Sequence, residues 1–510
     1  MKALTVLFGA SLGPHAFRPV FSGKNALTLA LERSRAFPGT EKVLLLAGSG
    51  FDRGACPGVS LLEAPAWTKK SLLETLAGES AGFDLTYFAW ADAPFLDPVL
   101  AGALAERHRR YAAEYSYADG WPYGFAPELL APGTAGILAK LLPDGGGPVE
   151  RDTLFSAIQR DINSFDIETE ISPADLRCHR LSLTADSKRN LLLLCRFAGA
   201  AGGIPDAAGA AALIGERPEL LRTLPAFYPV QVSAPCPQDC AFCPYPKSAA
   251  PKEGFMEPSR FGELLDRIEA FSGDAVIDLS LWGEPALHPQ RLELIRQVLA
   301  RPALSLVIES SGIGWKAAEA ELLAEETRQA APRENRMAPL SWILSLDTAD
   351  GERYGKIRGA GFAGAVDWAK RLLPLFPGDL YVQALRIKGF EDDTERFYRF
   401  WKEAGANSII QKYDHFCDAL PDLRAADLSP IERRPCWHLM RDMPVLLDGS
   451  VPLCREDLAV FAGSGRLLGN VFTHSLEEIW SRGDVFYREH CTKTYGGICA
   501  GCDEYYTYNF

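Results

Sequence analysis

Between residues 229 and 412, six β-rich runs alternate with five helical ones, and this alternation constrains the fold more than any other feature. The β-rich runs fall at 229–233, 275–281, 304–309, 342–347, 380–385 and 407–412. Helical periodicity occupies 260–271, 291–300, 316–330, 361–373 and 393–404 between them. Repeated strand–helix–strand units force parallel strands with right-handed crossovers, which gives a TIM-type barrel or an open arc of one. In such a sheet the chemistry sits past the carboxyl ends of the strands. The segments directly after each run are therefore where a site is expected.

After the first run comes APCPQDCAFCPYP, with Cys236, Cys240 and Cys243 at C-x3-C-x2-C spacing. Thiolates are soft ligands that suit iron–sulfur clusters or zinc, and closed sites of either kind use four protein ligands. No fourth cysteine lies close by. Three incidental thiols or half of a zinc site are the alternatives. A cluster held by three thiolates keeps one iron open to an outside ligand.

The spacing, with Phe242 before the last cysteine, resembles the radical S-adenosylmethionine (SAM) signature. In that family the open iron of a [4Fe–4S] cluster binds the amino and carboxylate groups of SAM. An electron from the cluster then splits SAM into methionine and a 5′-deoxyadenosyl radical. Later strand ends extend the resemblance. Leu281-Trp282-Gly283-Glu284-Pro285 resembles the family's GGEP stretch, with Trp282 in place of the first glycine. There the backbone and the acid hold the SAM ammonium. Glu309-Ser310-Ser311-Gly312 stands where the family has TNG. Ser345-Leu346-Asp347, followed by Tyr354 and by Arg358-Gly359, resembles the SLD…Y…R-G pattern, and Gln383 is a further candidate contact. A helix-entry role for Glu284, a turn role for Asp347 and a cap role for Ser310 are the structural alternatives.

The first 205 residues also alternate. Strands are expected at 4–8, 42–47 and 84–89, and helices at 25–36, 71–77 and 98–115. This pattern predicts a parallel sheet covered on both faces. Asp92 follows the third of these strands, where open α/β sheets bind ligands; a turn or helix-cap carboxylate would explain it equally. The layout resembles the cytidylyltransferase-like sugar nucleotidyltransferases. The resemblance implies a Mg²⁺ at Asp92, with Asp186 like a later family aspartate, and Lys24 within SGKNALTLALERSR. The family's Gly-rich loop after the first strand is eroded to GASLGPHAFRP, where only Gly9, Gly13 and Arg18 could serve.

The end of the chain is thiol-rich. Asp448-Gly449 predicts a hairpin between 443–447 and 450–453 that brings Cys436 and Cys454 to one end. Cys499 and Cys502 add a C-x2-C pair. Four thiolates fit a closed [4Fe–4S] cluster or tetrahedral zinc. The order Cys436, Gly449, Cys454, followed by LGN-x5-SLEEIW, resembles the SPASM domain. That resemblance implies one auxiliary [4Fe–4S] cluster on Cys436, Cys454, Cys499 and Cys502, with Cys491 as a substitute ligand. The dense middle run of cysteines that supports a second auxiliary cluster is absent. Cys56, Cys178, Cys195 and Cys417 read as plain thiols.

A net charge of −13 argues against a nucleic-acid or anionic-membrane surface. Twelve cysteines in 510 residues are too few for a disulfide scaffold. No apolar run is long enough to span a bilayer, and a cytoplasmic site is expected.

The fold class expected is α/β. A nucleotidyltransferase-like (Rossmann-type) domain at 1–205 precedes a linker at 206–225, a partial (β/α)6 barrel at 226–425 and a SPASM-like domain at 426–510. The whole resembles the spiro-SPASM group. It implies a radical SAM oxidoreductase or maturase-type enzyme acting on a peptide or protein, with a reductant such as flavodoxin or ferredoxin. A carbohydrate or nucleotide-sugar substrate, or a non-catalytic first domain, are the other readings.

Overall fold

Residues 1–427 and 429–505 are described by the computed structural model, which divides into two units, Met1–Thr223 and Leu224–Phe510. In the first, β1 (Ala3–Phe8) is buried over its whole length, as its apolar run requires. It pairs in parallel with β2 (Thr40–Gly48), and β2 pairs with β3 (Ser60–Ala64). On its other side lies β4 (Leu85–Trp90), also parallel. Successive residues of β1 point to opposite faces. Leu4, Val6 and Phe8 join one apolar core with Leu72 and Leu76, while Ala3 and Leu7 join another with Leu27, Leu31 and Leu104. Both faces of the sheet are therefore covered by helices, as expected.

The sheet is mixed rather than all parallel. It continues through β5 (Tyr115–Asp119), β6 (Glu128–Leu130) and β7 (Ile167–Ile171) in the order β3-β2-β1-β4-β6-β5-β7. β6 runs antiparallel to both β4 and β5. Only residues 120–127 join β5 to β6, too few for the crossover that parallel neighbours need. The expected linker is also corrected in part. Residues Ala207–Glu216 form a helix capped by Asp206, whose Oδ1 accepts from the Gly209 amide at 2.7 Å. Alanine is the strongest helix former, so an Ala-rich stretch with such a cap is helical rather than flexible. Its start is held by Asp97, which accepts from the Ala207 amide at 2.8 Å.

In the second unit, β8 (Phe227–Pro229), β9 (Ala275–Asp278), β10 (Leu304–Ser310), β11 (Leu340–Ser345), β12 (Leu380–Arg386) and β13 (Asn407–Lys412) form one sheet in sequential order. Every pairing is parallel. One face carries Tyr228, Ile277, Ile308, Trp342, Leu344 and Val382 into the main core beneath the helices. The opposite face carries Pro229, Asp278, Glu309, Ser345, Gln383 and Lys412 around a single cavity. A sheet with helices on one side and a shared cavity on the other is an arc of a barrel.

Several boundaries differ from expectation: the strand expected at 342–347 spans Leu340–Ser345, and the helix expected at 98–115 ends at Arg110, with Tyr115 opening β5. The first strand ends at Pro229, and residues 230–233 lead directly into the three-cysteine loop; the second strand ends at Asp278. The expected hairpin is re-paired. Its turn forms, with the Leu446 amide donating to Ser450 O at 2.8 Å, but β14 (Ser450–Pro452) pairs with β15 (Leu467–Asn470). The preceding segment instead bridges the barrel edge through Val230 and Val445. Cys436, Leu439, Val445, Val451 and Leu453 thereby join the barrel's own core, so the thiol-rich region does not stand apart from it.

Candidate functional site

The three-cysteine loop leaves β8 and closes over the carboxyl ends of the strands. Cys236, Cys240 and Cys243 all line the cavity, whose volume is about 590 Å³. Backbone bonds fix the loop: the Ala241 amide donates to Ile357 O at 2.9 Å and the Asp239 amide to Arg358 O at 3.3 Å. Burial pushes the Cys236 thiol up to about 11 and the Cys243 thiol up to about 12, and raises Cys240 as well. Such thiols ionise only when a cation claims them, and metal binding then releases their protons.

Gly283 is required where it stands. Its φ is +72°, and an added Cβ would lie 1.8 Å from Ser233 O. The loop after β9 thus presses directly on the chain that feeds the cysteines. Glu284 is buried beneath it, followed by buried Pro285. Its Oε1 accepts from Ser310 Oγ at 2.7 Å and from the Ala286 amide at 3.1 Å; its Oε2 accepts from Ser311 Oγ at 2.6 Å and the Ser311 amide at 2.8 Å. Burial raises its pKa, and these donors work against the rise. Glu284 therefore ties the end of β9 to the end of β10. Ser310 is equally engaged, accepting from Trp315 Nε1 at 3.0 Å.

Past β11, Asp347 holds a left-handed backbone (φ +62°), a cost of order 1 kcal/mol that surrounding contacts must hold in place. Its Oδ1 accepts from the Leu385 amide at 2.9 Å and its Oδ2 from Arg358. Arg358 is buried, donates Nε–H to Gln238 Oε1 at 3.0 Å, and lies 5.5 Å from the Phe242 ring centroid. Burial opposes its charge, but Cys240 and Asp347 more than offset this, and the guanidinium stays charged. Glu309, Ser345 and Gln383 form a triangle across β10, β11 and β12: Glu309 Oε1 accepts from Ser345 Oγ at 3.1 Å and from Gln383 Nε2 at 3.0 Å. Gln238 and Glu309 lie inside quoted motif stretches and Asp278 in none, and sequence reasoning singled out none of the three as a site residue. Asp278 accepts from Ser280, and its Oδ1 is buried with no hydrogen-bond partner.

The C-terminal thiols lie near one another: Cys436 feels the charge of Cys502 and Cys499, Cys454 that of Cys436 and Cys502, and Cys499 that of Cys502. The Cys417 thiol, expected to be a plain one, is raised by the neighbouring Cys502 first and by burial second. Cys491 packs against the main core. A tetrahedral zinc site with 2.3 Å bonds would hold its sulfurs about 3.8 Å apart. Among the described residues, the one group of three ligand atoms all within 4.8 Å of one another is Asp414, Asp503 and Glu504, not any three thiols.

In the first unit, Asp92 follows β4 and is buried. Arg151 spans the two carboxylates expected to hold Mg²⁺: Nη1 donates to Asp92 Oδ1 at 2.8 Å, and Nη2 reaches Asp92 Oδ2 at 2.5 Å and Asp186 Oδ2 at 3.1 Å. The guanidinium lies 4.2 Å over the Trp90 ring. A fixed cation therefore occupies the expected metal position. Arg18 is exposed, and Lys24 pairs with Glu32 at 2.6 Å on the surface. Arg151→Ala leaves a buried carboxylate unpaired and should cost about 3–5 kcal/mol of stability. Millimolar Mg²⁺ should recover part of that loss in the variant and leave the wild type unchanged. Denaturant titration of the full chain, with and without Mg²⁺, measures both.

Residues 436–503 match the SPASM family, an iron–sulfur cluster-binding domain. A Treponema pallidum (strain Nichols) protein described only as "Uncharacterized protein" is 38% identical over 365 residues, covering 70% of this chain and 98% of that protein. Among solved structures, Streptococcus suis SuiB bound to the precursor peptide SuiA matches with a TM-score of 0.40 and 12% identity, over 65% of this chain and 76% of that one. A cytidylyltransferase from Leptospira borgpetersenii matches with a TM-score of 0.37 and 15% identity, over 43% of this chain and 96% of that one. TM-scores this low carry no argument about function. No helix among the described residues is long and apolar enough to cross a membrane.

Proposed function

From the premise that this chain belongs to the family of the Treponema pallidum protein and carries a C-terminal match to the SPASM domain, we propose that it is a radical SAM enzyme that cleaves SAM reductively and uses the resulting radical to modify a peptide or protein. The observation that carries this reading is the meeting of Cys236, Cys240 and Cys243 with the strand-end groups on one cavity of small-molecule size. Cys236, Cys240 and Cys243 would hold a [4Fe–4S] cluster, which would supply the electron that splits SAM into methionine and a 5′-deoxyadenosyl radical.

The chain's own part is binding, orientation and exclusion of water. Glu284 fixes the loops after β9 and β10 through four hydrogen bonds. The Asp347–Arg358 pair locks the cysteine loop to the end of β11, and Phe242 stacks on the same guanidinium. Ser345 and Gln383 present polar atoms to the cavity beside Glu309. The C-terminal thiols would hold a second cluster able to take up an electron from a substrate radical, and a flavodoxin or ferredoxin would serve as the reductant. The Arg151 clamp over Asp92 and Asp186 favours a first unit without Mg²⁺-dependent nucleotidyl transfer, and so favours the peptide reading over the nucleotide-sugar one.

Asp278 lines the same cavity. Burial first, and the nearby Glu309 second, raise it to about 8, so it carries a proton at neutral pH. With the folded value above the unfolded one, near 3.9, its stabilising contribution is full below about pH 4 and is lost as pH rises through about 8. Asn at this position stays neutral throughout. The stability difference should therefore move in favour of Asp278→Asn by on the order of 5 kcal/mol between about pH 4 and pH 9. Chemical denaturation at the two pH values checks this, and a pH-independent difference would contradict it.

The proposed activity is tested by anaerobic incubation with SAM and dithionite. Release of 5′-deoxyadenosine supports the reading; a protein loaded with iron that leaves SAM intact refutes it.

A further inference from the structure

We propose that Asp278, Glu309 and Gln383 form a subsite for the protonated side-chain amine of a lysine carried by the substrate. This deepens the radical SAM reading of the cavity, with its peptide or protein substrate, and rests on it.

The three residues lie on the cavity face of β9, β10 and β12. Asp278 stands opposite Val307, so Glu309, two positions on, is its diagonal neighbour on the same face. Glu309 Oε1 accepts from Ser345 Oγ at 3.1 Å and from Gln383 Nε2 at 3.0 Å. A carboxylate only accepts, so the second bond fixes the Gln383 amide with its nitrogen toward Glu309. Gln383 Nε2 is held further by Ser345 Oγ at 3.1 Å. Gln383 Oε1 is then left buried with no hydrogen-bond partner. Asp278 Oδ1 is in the same condition, while its Oδ2 takes the Ser280 hydroxyl. Asp278 is 4% exposed and Gln383 5%. A buried acceptor without a donor is costly, so two of them on one cavity wall call for donors from a bound group.

Charge selects the donor. Each lysine or arginine on the cavity wall is already paired: Arg358 with Asp347, Lys412 with Asp503 at 3.0 Å, Arg441 with Asp442 at 2.6 Å and Arg455 with Glu456 at 3.0 Å. Glu284 is satisfied by its four hydrogen bonds. Among the described residues no cation pairs with Asp278 or Glu309, whose bonds are to Ser280, Ser345 and Gln383. A lysine ammonium brings three donors and one positive charge on a slender four-carbon stem, which suits two acids and an amide oxygen in a buried row. The amine of SAM does not compete for this place, since its expected partner is the open iron. Entry of the ammonium favours the ionised form of Asp278, and the proton that burial and Glu309 keep there passes to solvent.

Anaerobic calorimetric titration of the iron-loaded full chain, with SAM present, tests this with two probes. Nα-acetyl-lysine amide carries the ammonium and Nα-acetyl-norleucine amide does not. Wild type should bind the lysine probe about tenfold more tightly or better, the size of one charged hydrogen bond. Asp278→Asn and Glu309→Gln should each abolish that preference. The two changes keep side-chain shape and sit on different strands, so a folding defect in one leaves the other to decide. Dithionite is then added to the same samples and 5′-deoxyadenosine is measured. Equal binding of the two probes, or binding of neither, by a wild type that cleaves SAM overturns the subsite and leaves the radical reading intact. A lysine preference kept in both variants overturns it as well. Loss of SAM affinity together with the preference in Asp278→Asn places SAM on the row instead of substrate, and also overturns it. An iron-loaded wild type that leaves SAM intact overturns both.

Discussion

Cys240→Ala is expected to abolish 5′-deoxyadenosine release and to remove about four irons per chain. Cys240 is the buried member of the three, at the centre of the loop, and it lies beside Arg358. Loss of its thiolate leaves two ligands and no neighbouring replacement, since the remaining cysteines belong to the other thiol group or to the first unit. The control is Cys195→Ala. That thiol sits in the helix Lys188–Ala201 of the first unit, and its removal should leave iron content and SAM cleavage at wild-type values. Wild-type turnover in the Cys240 variant would remove the loop from the site.

Arg358→Met should be the most damaging change that spares every cysteine. It strands Asp347, which is buried, and leaves Gln238 Oε1 without its charged donor. Breaking a buried pair from one side costs about 3–5 kcal/mol. The cysteine loop should also loosen, because its amides bond to the backbone of Ile357 and Arg358. Slow cluster loss should therefore accompany the lower stability. The double variant Asp347→Asn/Arg358→Met leaves no buried charge, so its loss should be well below the sum of the single losses. Equilibrium denaturation of all four forms measures the coupling, and strict additivity would contradict a direct pair.

The strands and helices of the barrel were legible because each strand buries one face against helices. Ile308, Trp342, Leu344 and Val382 leave that pattern in the sequence. Position at a strand end was legible too, which is how Glu284, Ser345, Asp347 and Gln383 could be found. What those groups touch was not. Glu284 is satisfied by Ser310 and Ser311, on the next strand end. Asp92 looked like a metal ligand because Arg151, 59 positions away, has no local signal. Cys417 looked isolated because nothing in its neighbourhood shows that Lys412, Asp414 and His415 dock beside Cys502. Asp278 read as an ordinary strand residue and Glu309 only as the start of a motif stretch, yet both line the cavity. The antiparallel β6 followed from a connection length that could be counted, but its three residues were too few to register as a strand.

The central claim is that Cys236, Cys240 and Cys243 hold a cluster with one iron open to SAM. EPR of the dithionite-reduced protein, recorded with and without SAM, tests it most directly. The wild-type spectrum should change on adding SAM, because a new ligand enters the open iron. The Cys236→Ala/Cys240→Ala/Cys243→Ala protein should keep an auxiliary signal that SAM does not alter. A wild-type spectrum indifferent to saturating SAM, in protein holding about eight irons, would contradict the account.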